Sequence, residues 1–193
     1  MFIHDPDLLL SADTASPSPA WIHPAAIVES NRVGSGTRIW AFAHVAAGAI
    51  VGRDCNICDH TFLEKGSVVG DRVTLKCGVY LWNGVVIEDD VFIGPNVSFC
   101  NDPYPRSKIH LSVHPRTFIR RGASIGSGAV ILPGVEIGAY CMIGAGAIVT
   151  ESIPAFSLAY GNPARVQGRV DKQGQPIRTA ADVWSSRAAS RAA

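Results

Sequence analysis

Side chains that could bind an amine or move a proton recur in this sequence at intervals of eighteen residues. The imidazoles of His44 and His60 could accept a proton near neutral pH, and the amide of Asn83 could orient an amine by hydrogen bonding. These residues belong to four series with that spacing: His44, Phe62, Tyr80 and Ser98; Ala46, Glu64, Trp82 and Cys100; Ala47, Lys65, Asn83 and Asn101; and Phe42, His60, Gly78 and Asn96. If every interval returns the chain to one edge of a rigid scaffold, the series predict one site. Its catalytic candidates are Asn83, His60 and His44.

The acidic and aromatic members of these series have two candidate roles. Glu64, Tyr80 and Trp82 are interpreted as substrate-binding residues. Aromatic side chains on an outer face also form contacts between subunits, which is the simpler interpretation for Phe62 and Tyr80. Both roles remain open for Trp82.

A proline-containing segment follows these series and adds groups suited to a phosphorylated ligand. Residues 101–108 run Asn-Asp-Pro-Tyr-Pro-Arg-Ser-Lys, and the prolines restrict the backbone. A guanidinium suits bidentate contacts with phosphate, so this segment could hold a diphosphate and a ring. A solvated loop that covers a neighbouring subunit is the alternative, and it remains open for Lys108. The candidates for substrate binding are Asn101, Asp102, Tyr104 and Arg106.

A six-residue period is the feature that would position all of these groups. Large apolar residues recur at every sixth position from Ile27 to Phe99, and again, shifted by two, from Ile119 to Val149. A mostly small or β-branched residue follows each of them by four positions, so two residues in six are predicted to point inward. Such a period fits neither a helix nor a free hairpin, but it suits short parallel strands wound as a coil with three faces and eighteen residues per turn.

The break in the period predicts an inserted loop at residues 100–118. Nineteen hexads predict about six coils and, at ~4.8 Å per coil, a column ~30 Å tall. A glycine often follows the large apolar residue, where the turn is expected to need a positive φ. These glycines are Gly34, Gly52, Gly70, Gly94, Gly126, Gly138 and Gly144.

Between residues 21 and 168 this pattern resembles the hexapeptide-repeat acyltransferases. The resemblance implies an all-β fold, a left-handed parallel β-helix with one inserted loop and a C-terminal cap. It also implies a homotrimer in which the two substrates meet at the cleft between subunits. The domain prediction is an N-terminal extension over residues 1–20, the β-helix over 21–154, and a cap and tail over 155–193.

Four segments are similar to a narrower group, the N-acetyltransferases that act on nucleotide-linked 3-amino-3,6-dideoxyhexoses. They are residues 58–62 (Cys-Asp-His-Thr-Phe), 81–84 (Leu-Trp-Asn-Gly), 88–96 (Glu-Asp-Asp-Val-Phe-Ile-Gly-Pro-Asn) and 101–108. The implied function is acetyl transfer from acetyl-CoA to the 3-amino group of such a sugar, with dTDP as the expected nucleotide, in surface polysaccharide or glycan synthesis. Two alternatives remain open: an N-acetyltransferase for a UDP-linked 3-amino uronic acid, and a non-catalytic trimeric binding protein.

The resemblance places CoA along the last coils of the column. Residues 125–149 are rich in glycine and alanine, which would leave backbone amides open to a narrow pantetheine arm. Residues 160–165 (Tyr-Gly-Asn-Pro-Ala-Arg) match the family segment that closes over CoA, although they could also serve only to cap an open β-helix end. The cofactor-binding candidates are Gly126, Ala145, Ala147, Asn162, Pro163 and Arg165.

Composition narrows the function classes further. The net charge of +1 provides no basic field for a nucleic-acid backbone, and no apolar run approaches the ~20 residues that span a bilayer. The first twenty residues lack a basic leader, and five cysteines without an export signal indicate free thiols, so the cytoplasm is the expected location.

Metal chemistry is not favoured by the sequence. His110 and His114 invite comparison with a zinc enzyme of the same fold, but no third histidine is placed to complete the site. Cys55 and Cys58 have a metal-binding spacing, yet Cys55 falls on an inward position and no second pair follows. The prediction is acetyl-CoA as co-substrate without a metal.

Overall fold

The computed structural model describes residues 18–109 and 111–177. Residues 1–17 of the predicted N-terminal extension, residues 178–193 of the predicted tail, and His110 lie outside the described residues. Within the described ranges the chain forms strands and turns without a helix, and it contains no helix that could cross a membrane.

Twenty-one short strands make up the described part of the chain. In chain order they are β1 (Trp21–Ile22), β2 (Ile27–Val28), β3 (Arg38–Ile39), β4 (His44–Val45), β5 (Ile50–Val51), β6 (Asn56–Ile57), β7 (Phe62–Leu63), β8 (Val68–Val69), β9 (Thr74–Leu75), β10 (Tyr80–Leu81), β11 (Val85–Ile87), β12 (Phe92–Ile93), β13 (Ser98–Phe99), β14 (Thr117–Ile119), β15 (Ser124–Ile125), β16 (Val130–Ile131), β17 (Glu136–Ile137), β18 (Met142–Ile143), β19 (Ile148–Val149), β20 (Ser157–Gly161) and β21 (Ala164–Arg169).

Three sheets form the sides of a parallel β-helix. Face 1 has the order β1-β3-β6-β9-β12-β15-β18-β20-β21, face 2 the order β19-β16-β13-β10-β7-β4-β2, and face 3 the order β17-β14-β11-β8-β5. Apart from the antiparallel pair β20–β21, neighbouring strands of a face pair in parallel. Between the first coil and the last, and away from the insertion, the paired residues are eighteen apart, as in Phe62 with Tyr80 and Ile57 with Leu75. The predicted coil is therefore confirmed. We name the three edges corner 1–2, corner 2–3 and corner 3–1 after the faces that they join.

The column has about eight coils rather than the six predicted. Eight parallel strands stack along face 1, from β1 to β20. The count of hexads from Ile27 to Val149 omits β1 at one end and β20 at the other. Partial coils at the two ends therefore account for the difference.

The inward residues form one continuous core. Ile39, Ile57, Leu75, Ile93 and Ile125 are completely buried, as are most of their partners four positions later. Each such side chain contributes roughly 1.5–3 kcal/mol on burial. The two-in-six pattern is therefore confirmed along most of the chain.

The first coil departs from the predicted frame. Ile27 is 57% exposed, because it pairs with the outward His44 while Val28 pairs with the inward Val45. The spacing between these partners is seventeen residues instead of eighteen. A coil that is one residue short thus reverses the direction of Ile27.

The glycines that follow large apolar residues are needed for a different reason from the one predicted. None of the seven has a positive φ. A Cβ at Gly126 would lie 2.5 Å from the amide nitrogen of Ala145 on the next coil, so close backbone stacking excludes a side chain. The positive φ values fall two residues after these glycines, for example at Asp54 (54°) and Asn96 (56°).

The inserted loop covers residues 100–116, two fewer than predicted. Strand β13 ends at Phe99 and β14 begins at Thr117, which pairs with Val85 across a separation of 32 residues rather than eighteen. Thr117 is buried and its hydroxyl accepts a hydrogen bond from the Gly134 amide at 3.1 Å. The insertion leaves the column at corner 2–3 and returns there.

A ladder of ion pairs along corner 3–1 predicts acid sensitivity. The backbone N–H and the guanidinium of Arg53 lower the pKa of Asp71, and hydrogen bonds from Arg72 lower the pKa of Asp90. Carboxyls with lowered pKa values stabilise the fold above the pKa of the unfolded chain and lose that contribution as pH falls through the folded-state pKa. We expect the free energy of unfolding to decrease as pH falls from about 5 to about 2, as measured by urea unfolding.

In the variant Arg72→Met, the free energy of unfolding should decrease less steeply as pH falls. Because the pairs are exposed, the difference from the parent protein should be small and should shrink at high salt. An equally steep decrease in the variant would show that other carboxyls control the acid response.

Candidate active site

The outer surface of face 2 carries the predicted column of aromatic and histidine side chains. His44, Phe62, Tyr80 and Ser98 follow one another in register on β4, β7, β10 and β13. The ring centroids of Phe62 and Trp82 are 5.7 Å apart, and those of Tyr80 and Trp82 are 6.0 Å apart. The eighteen-residue series therefore bring these side chains together as predicted.

Two shallow depressions lie against this cluster. One has a volume of about 300 Å³ and is lined by Phe42, His44, His60, Thr61, Phe62, Tyr80 and Trp82. The other, of about 450 Å³, is lined by Gly78, Tyr80, Trp82, Asn96, Val97, Ser98 and Phe99. Tyr80 and Trp82 border both, so the depressions adjoin along face 2. Both candidate histidines open into the first.

His44 has a carboxylate partner that the sequence analysis missed. Its Nε2 lies 3.2 Å from Oε2 of Glu29, which also accepts the Ala47 N–H at 3.4 Å. The hydrogen bond to His44, followed by the one from Ala47, lowers the pKa of Glu29. A carboxylate at one ring nitrogen fixes the tautomer and leaves Nδ1 available as a base. Glu29 could not be found from the eighteen-residue series, because it lies in the short first coil.

His60 lies at corner 1–2, in the middle of a column of turn residues with positive φ. Its ring stacks on Phe42 with centroids 5.0 Å apart and planes 17° apart. Above it, a Cβ on Gly78 would collide with the side-chain oxygen of Asn96. Asn96 also lines the second depression. It belongs to one of the eighteen-residue series but has no role predicted from the sequence. The column comprises Phe42, His60, Gly78, Asn96, Gly128 and Gly146.

Asn83 lies at corner 2–3, together with its predicted companions. Its backbone N–H donates to Oε2 of Glu64 at 2.7 Å, and its carbonyl accepts a long hydrogen bond from Nδ2 of Asn101 at 3.5 Å. Glu64 therefore anchors the backbone of the Asn83 turn. The side chain of Asn83 is exposed and its oxygen lies next to Gly66.

The inserted loop carries exposed polar side chains. Oδ1 of Asp102 accepts the Tyr104 N–H at 2.8 Å, which fixes the start of the loop. Tyr104 is 84% exposed, and the guanidinium of Arg106 donates to the neighbouring Pro105 carbonyl at 2.9 Å. Both side chains are free to contact a ligand or another subunit. Among residues 18–109 and 111–177, no group of three or more His, Cys, Asp or Glu residues could hold a metal ion.

The glycine- and alanine-rich turns occupy the upper part of corner 1–2. A Cβ on Gly128 or Gly146 would meet nothing within 4 Å, so this edge is open. The N–H of Gly126 donates to the Ile143 carbonyl at 2.8 Å, and the side chain of Ala147 is completely buried. Ala145 is exposed. The open edge is therefore formed by Ala145 and the two outer glycines, while Gly126 and Ala147 support it from within.

The C-terminal hairpin lies beside the same corner. Strand β20 joins face 1 next to β18, and β21 returns antiparallel to it. A Cβ on Gly144 would lie 2.7 Å from Cβ of Tyr160, so the hairpin contacts the corner directly. Asn162 and Pro163 form its exposed tip, and Nη1 of Arg165 donates to the Ala164 carbonyl at 2.9 Å.

The candidate residues thus occupy two edges of face 2 rather than one. Asn83, Glu64 and the inserted loop lie at corner 2–3, whereas His60 and the glycine-rich turns lie at corner 1–2. The eighteen-residue series by themselves predict a single edge for all of these residues. After the length of the insertion is subtracted, the positions of Asn83 and Ala145 differ by six residues within the eighteen-residue repeat. Six residues correspond to one face of the column, so the two turns lie at neighbouring corners.

Comparison with known proteins places the chain among acyltransferases. A family model described as bacterial transferase hexapeptide (six repeats) matches residues 116–151. A dTDP-3-amino-3,6-dideoxy-alpha-D-galactopyranose 3-N-acetyltransferase from Aneurinibacillus thermoaerophilus is 52% identical over 157 residues, which are 81% of this chain and 82% of that relative. A galactoside O-acetyltransferase from Lactococcus lactis is 30% identical over 133 residues, 63% of each chain.

A solved structure agrees at the level of the fold. A Bacillus cereus protein provisionally assigned as an acetyltransferase superposes with a TM-score of 0.52 at 22% identity, and the match covers 89% of this chain and 86% of that one. The likeness supports the β-helix architecture.

Proposed function

This chain belongs to the hexapeptide-repeat acyltransferases, and from that premise we propose that it transfers the acetyl group of acetyl-CoA to the 3-amino group of a dTDP-linked 3-amino-3,6-dideoxyhexose. The observation that carries the proposal is the 52% identity, over four fifths of both chains, to a 3-N-acetyltransferase for such a sugar. The site supports it, because an aromatic surface flanked by amide, carboxylate and imidazole groups lies next to an open glycine-rich edge. We place the reaction in the cytoplasm, as a step in the synthesis of surface polysaccharide or another glycan.

The two substrates have separate surfaces in this proposal. The pantetheine arm of CoA runs along corner 1–2, past Gly146 and Gly128, under the hairpin tip formed by Asn162 and Pro163. The sugar lies against the aromatic surface of face 2, where Tyr80 and Trp82 offer apolar contact to its 6-methyl group. The thioester then meets the amine at the level of Asn96, Gly78 and His60.

A homotrimer would reconcile the positions of Asn83 and the CoA edge. The two lie at opposite edges of face 2 in one chain, but packing around a threefold axis can bring corner 2–3 of one subunit to corner 1–2 of the next. Asn83, Glu64 and the inserted loop would then reach the neighbour's CoA edge. Tyr104 and Arg106 would bind the nucleotide diphosphate there. Sedimentation equilibrium of the purified chain tests the trimer.

The chemistry is nucleophilic acyl substitution. The sugar nitrogen attacks the thioester carbonyl carbon, the resulting oxyanion collapses, the C–S bond breaks and CoA leaves as the thiolate, which takes up a proton. An amine beside electron-withdrawing oxygens is less basic than lysine, whose reference pKa is ~10.4, so a useful fraction is unprotonated at neutral pH. Positioning the nitrogen ~3–3.5 Å from the carbon can therefore provide much of the rate.

Each protein group has a defined task in this mechanism. Asn83 orients the amine, and a backbone N–H of a glycine or alanine turn stabilises the oxyanion. Nδ1 of His44 accepts the proton that the nitrogen loses, with Glu29 holding the ring. His60 lies where the acetyl group arrives and is the second candidate for that proton transfer.

A panel of nucleotide sugars tests the proposed activity. The purified chain is incubated with acetyl-CoA and dTDP- or UDP-linked 3-amino sugars, and release of the CoA thiol is followed together with product mass. The expected result is acetylation of a dTDP-linked 3-amino-3,6-dideoxyhexose with the highest kcat/KM. Preference for a UDP-linked 3-amino uronic acid would replace the substrate assignment, and absence of acyl-CoA binding by calorimetry would indicate a non-catalytic binding protein.

Replacing Arg165 by alanine should weaken CoA binding selectively. If its exposed guanidinium contacts a phosphate or the adenine of CoA, the variant should raise KM for acetyl-CoA by about tenfold, as expected for loss of one charged hydrogen bond, and leave kcat nearly unchanged. Steady-state kinetics at varied acetyl-CoA measures the change. The matched control is Arg169→Ala at the other end of β21. Equal KM values in both variants and the parent would assign Arg165 to the cap alone.

A further inference from the structure

Two cysteines lie next to each other on consecutive coils of corner 1–2. Cys58 directly follows β6 and Cys77 lies two residues after β9, and β6 pairs with β9 so that Ile57 is opposite Leu75. Cys77 is therefore one residue beyond the position opposite Cys58, which corresponds to a Cα separation of about 6 Å. This separation is within the range that a disulfide spans.

The two thiols differ in exposure. Cys58 is 7% exposed, whereas Cys77 is exposed at the outer turn. Burial raises the pKa of Cys58, which keeps it protonated. Its sulfur accepts a hydrogen bond from Nδ2 of Asn56 at 3.4 Å, and the same amide is fixed by a 2.6 Å bond from Nε1 of Trp40. An accessible thiol thus adjoins a buried one that is held in place.

The other three cysteines have no such arrangement. Cys55 and Cys141 point into the core, where their thiols donate to the carbonyls of Gly70 and Pro154 at 3.0 and 2.7 Å. Cys100 begins the inserted loop at corner 2–3, on the far edge of face 2. Cys58 and Cys77 are the pair that the coil geometry brings together.

We propose that Cys58 and Cys77 are a thiol–disulfide exchange site that takes a low-molecular-weight disulfide as its oxidant. The Cys77 thiolate attacks one sulfur of the oxidant, which forms a mixed disulfide and releases one thiol. Cys58 then loses its proton to solvent and attacks the Cys77 sulfur, which forms the intramolecular disulfide and releases the second thiol. Two protein thiols are oxidised and one small disulfide is reduced to two thiols.

The resulting bond would cross-link two coils beside the column described above. His60 is two residues from Cys58, and Gly78 follows Cys77 directly. Oxidation would therefore stiffen the turns at which the acetyl group is proposed to arrive. The exchange chemistry itself does not depend on the proposed acetyltransferase activity, because its readouts are covalent.

The test treats the reduced, folded full chain with glutathione disulfide and follows intact mass and alkylated peptides. The parent protein should lose two thiols, retain no glutathione and yield a peptide that joins Cys58 to Cys77. Cys58→Ser should stop at the mixed disulfide and carry one glutathionyl group. Cys77→Ser should react at least about tenfold more slowly, because its remaining partner thiol is buried. Cys100→Ser is the matched control and should behave as the parent.

Several outcomes would overturn the proposal. They are a stable mixed disulfide in the parent protein, a bond from Cys77 to Cys100, and a disulfide between chains on a non-reducing gel. Circular dichroism establishes that each variant is folded, and Cys58→Ala replaces Cys58→Ser if the hydroxyl destabilises the turn. The peptide map of the parent protein decides the pairing even if both variants fail to fold.

Discussion

Replacing Gly94 by alanine is expected to destabilise the fold strongly. The added Cβ would lie 2.7 Å from the amide nitrogen of Ser127 and 2.9 Å from the carbonyl oxygen of Ile125. These are backbone atoms of the next coil, so no side chain can rotate away and the coils must separate. We expect the free energy of unfolding to fall by at least about 2–3 kcal/mol, measured by urea unfolding monitored by circular dichroism.

Gly168→Ala is the matched control for this prediction. A Cβ at Gly168 would meet no heavy atom within 4 Å, and its φ is not positive. Its stability should stay within about 0.5 kcal/mol of the parent protein. If Gly94→Ala and Gly168→Ala unfolded at the same urea concentration, the close backbone stacking inferred for the glycine column would be wrong.

Replacing His44 by alanine is expected to lower kcat by about 10²-fold or more, the usual size of a general-base contribution. The reason is the geometry described above, in which Glu29 holds one ring nitrogen at 3.2 Å and the ring opens into the depression beside Trp82. Glu29→Gln should give a smaller loss, because the amide can still hydrogen-bond the ring. Turnover of the preferred sugar at saturating acetyl-CoA is the measurement.

The other histidines provide the comparison. His60→Ala should show which imidazole carries the proton, since both open into the same depression. His23→Ala is the control, because its ring bonds the local Ala25 N–H in the first coil and lines neither depression. Near-normal turnover in both His44→Ala and His60→Ala would assign the rate to positioning of an already unprotonated amine.

The fold was almost entirely predictable from the sequence because each hexad specifies its own contacts. An inward residue such as Leu75 needs only the coil above and the coil below, and both repeat the same pattern. The eighteen-residue spacing therefore predicted the stack of His44, Phe62 and Tyr80. For the same reason, it predicted that Glu64 and Asn83 would lie side by side.

Where the chain departs from that spacing, the sequence alone misplaced the residues. The first coil is one residue short, so Ile27 points outward and Glu29 reaches His44, a pairing outside every eighteen-residue series. The insertion shifts the later turns. The phase that places Gly146 in the column of His60, rather than in that of Asn83, therefore emerges only when the loop length is known.

The sequence by itself determined the coil, its core and the columns of stacked side chains, because these depend on contacts between neighbouring repeats. The tertiary structure decided which columns share a corner, why the stacking glycines admit no side chain, and which groups pair across irregular intervals. Those features depend on how many residues each coil contains, because every coil sets the starting position of the next. A change of one residue rotates all that follows by a fraction of a coil and carries a side chain from one face to another.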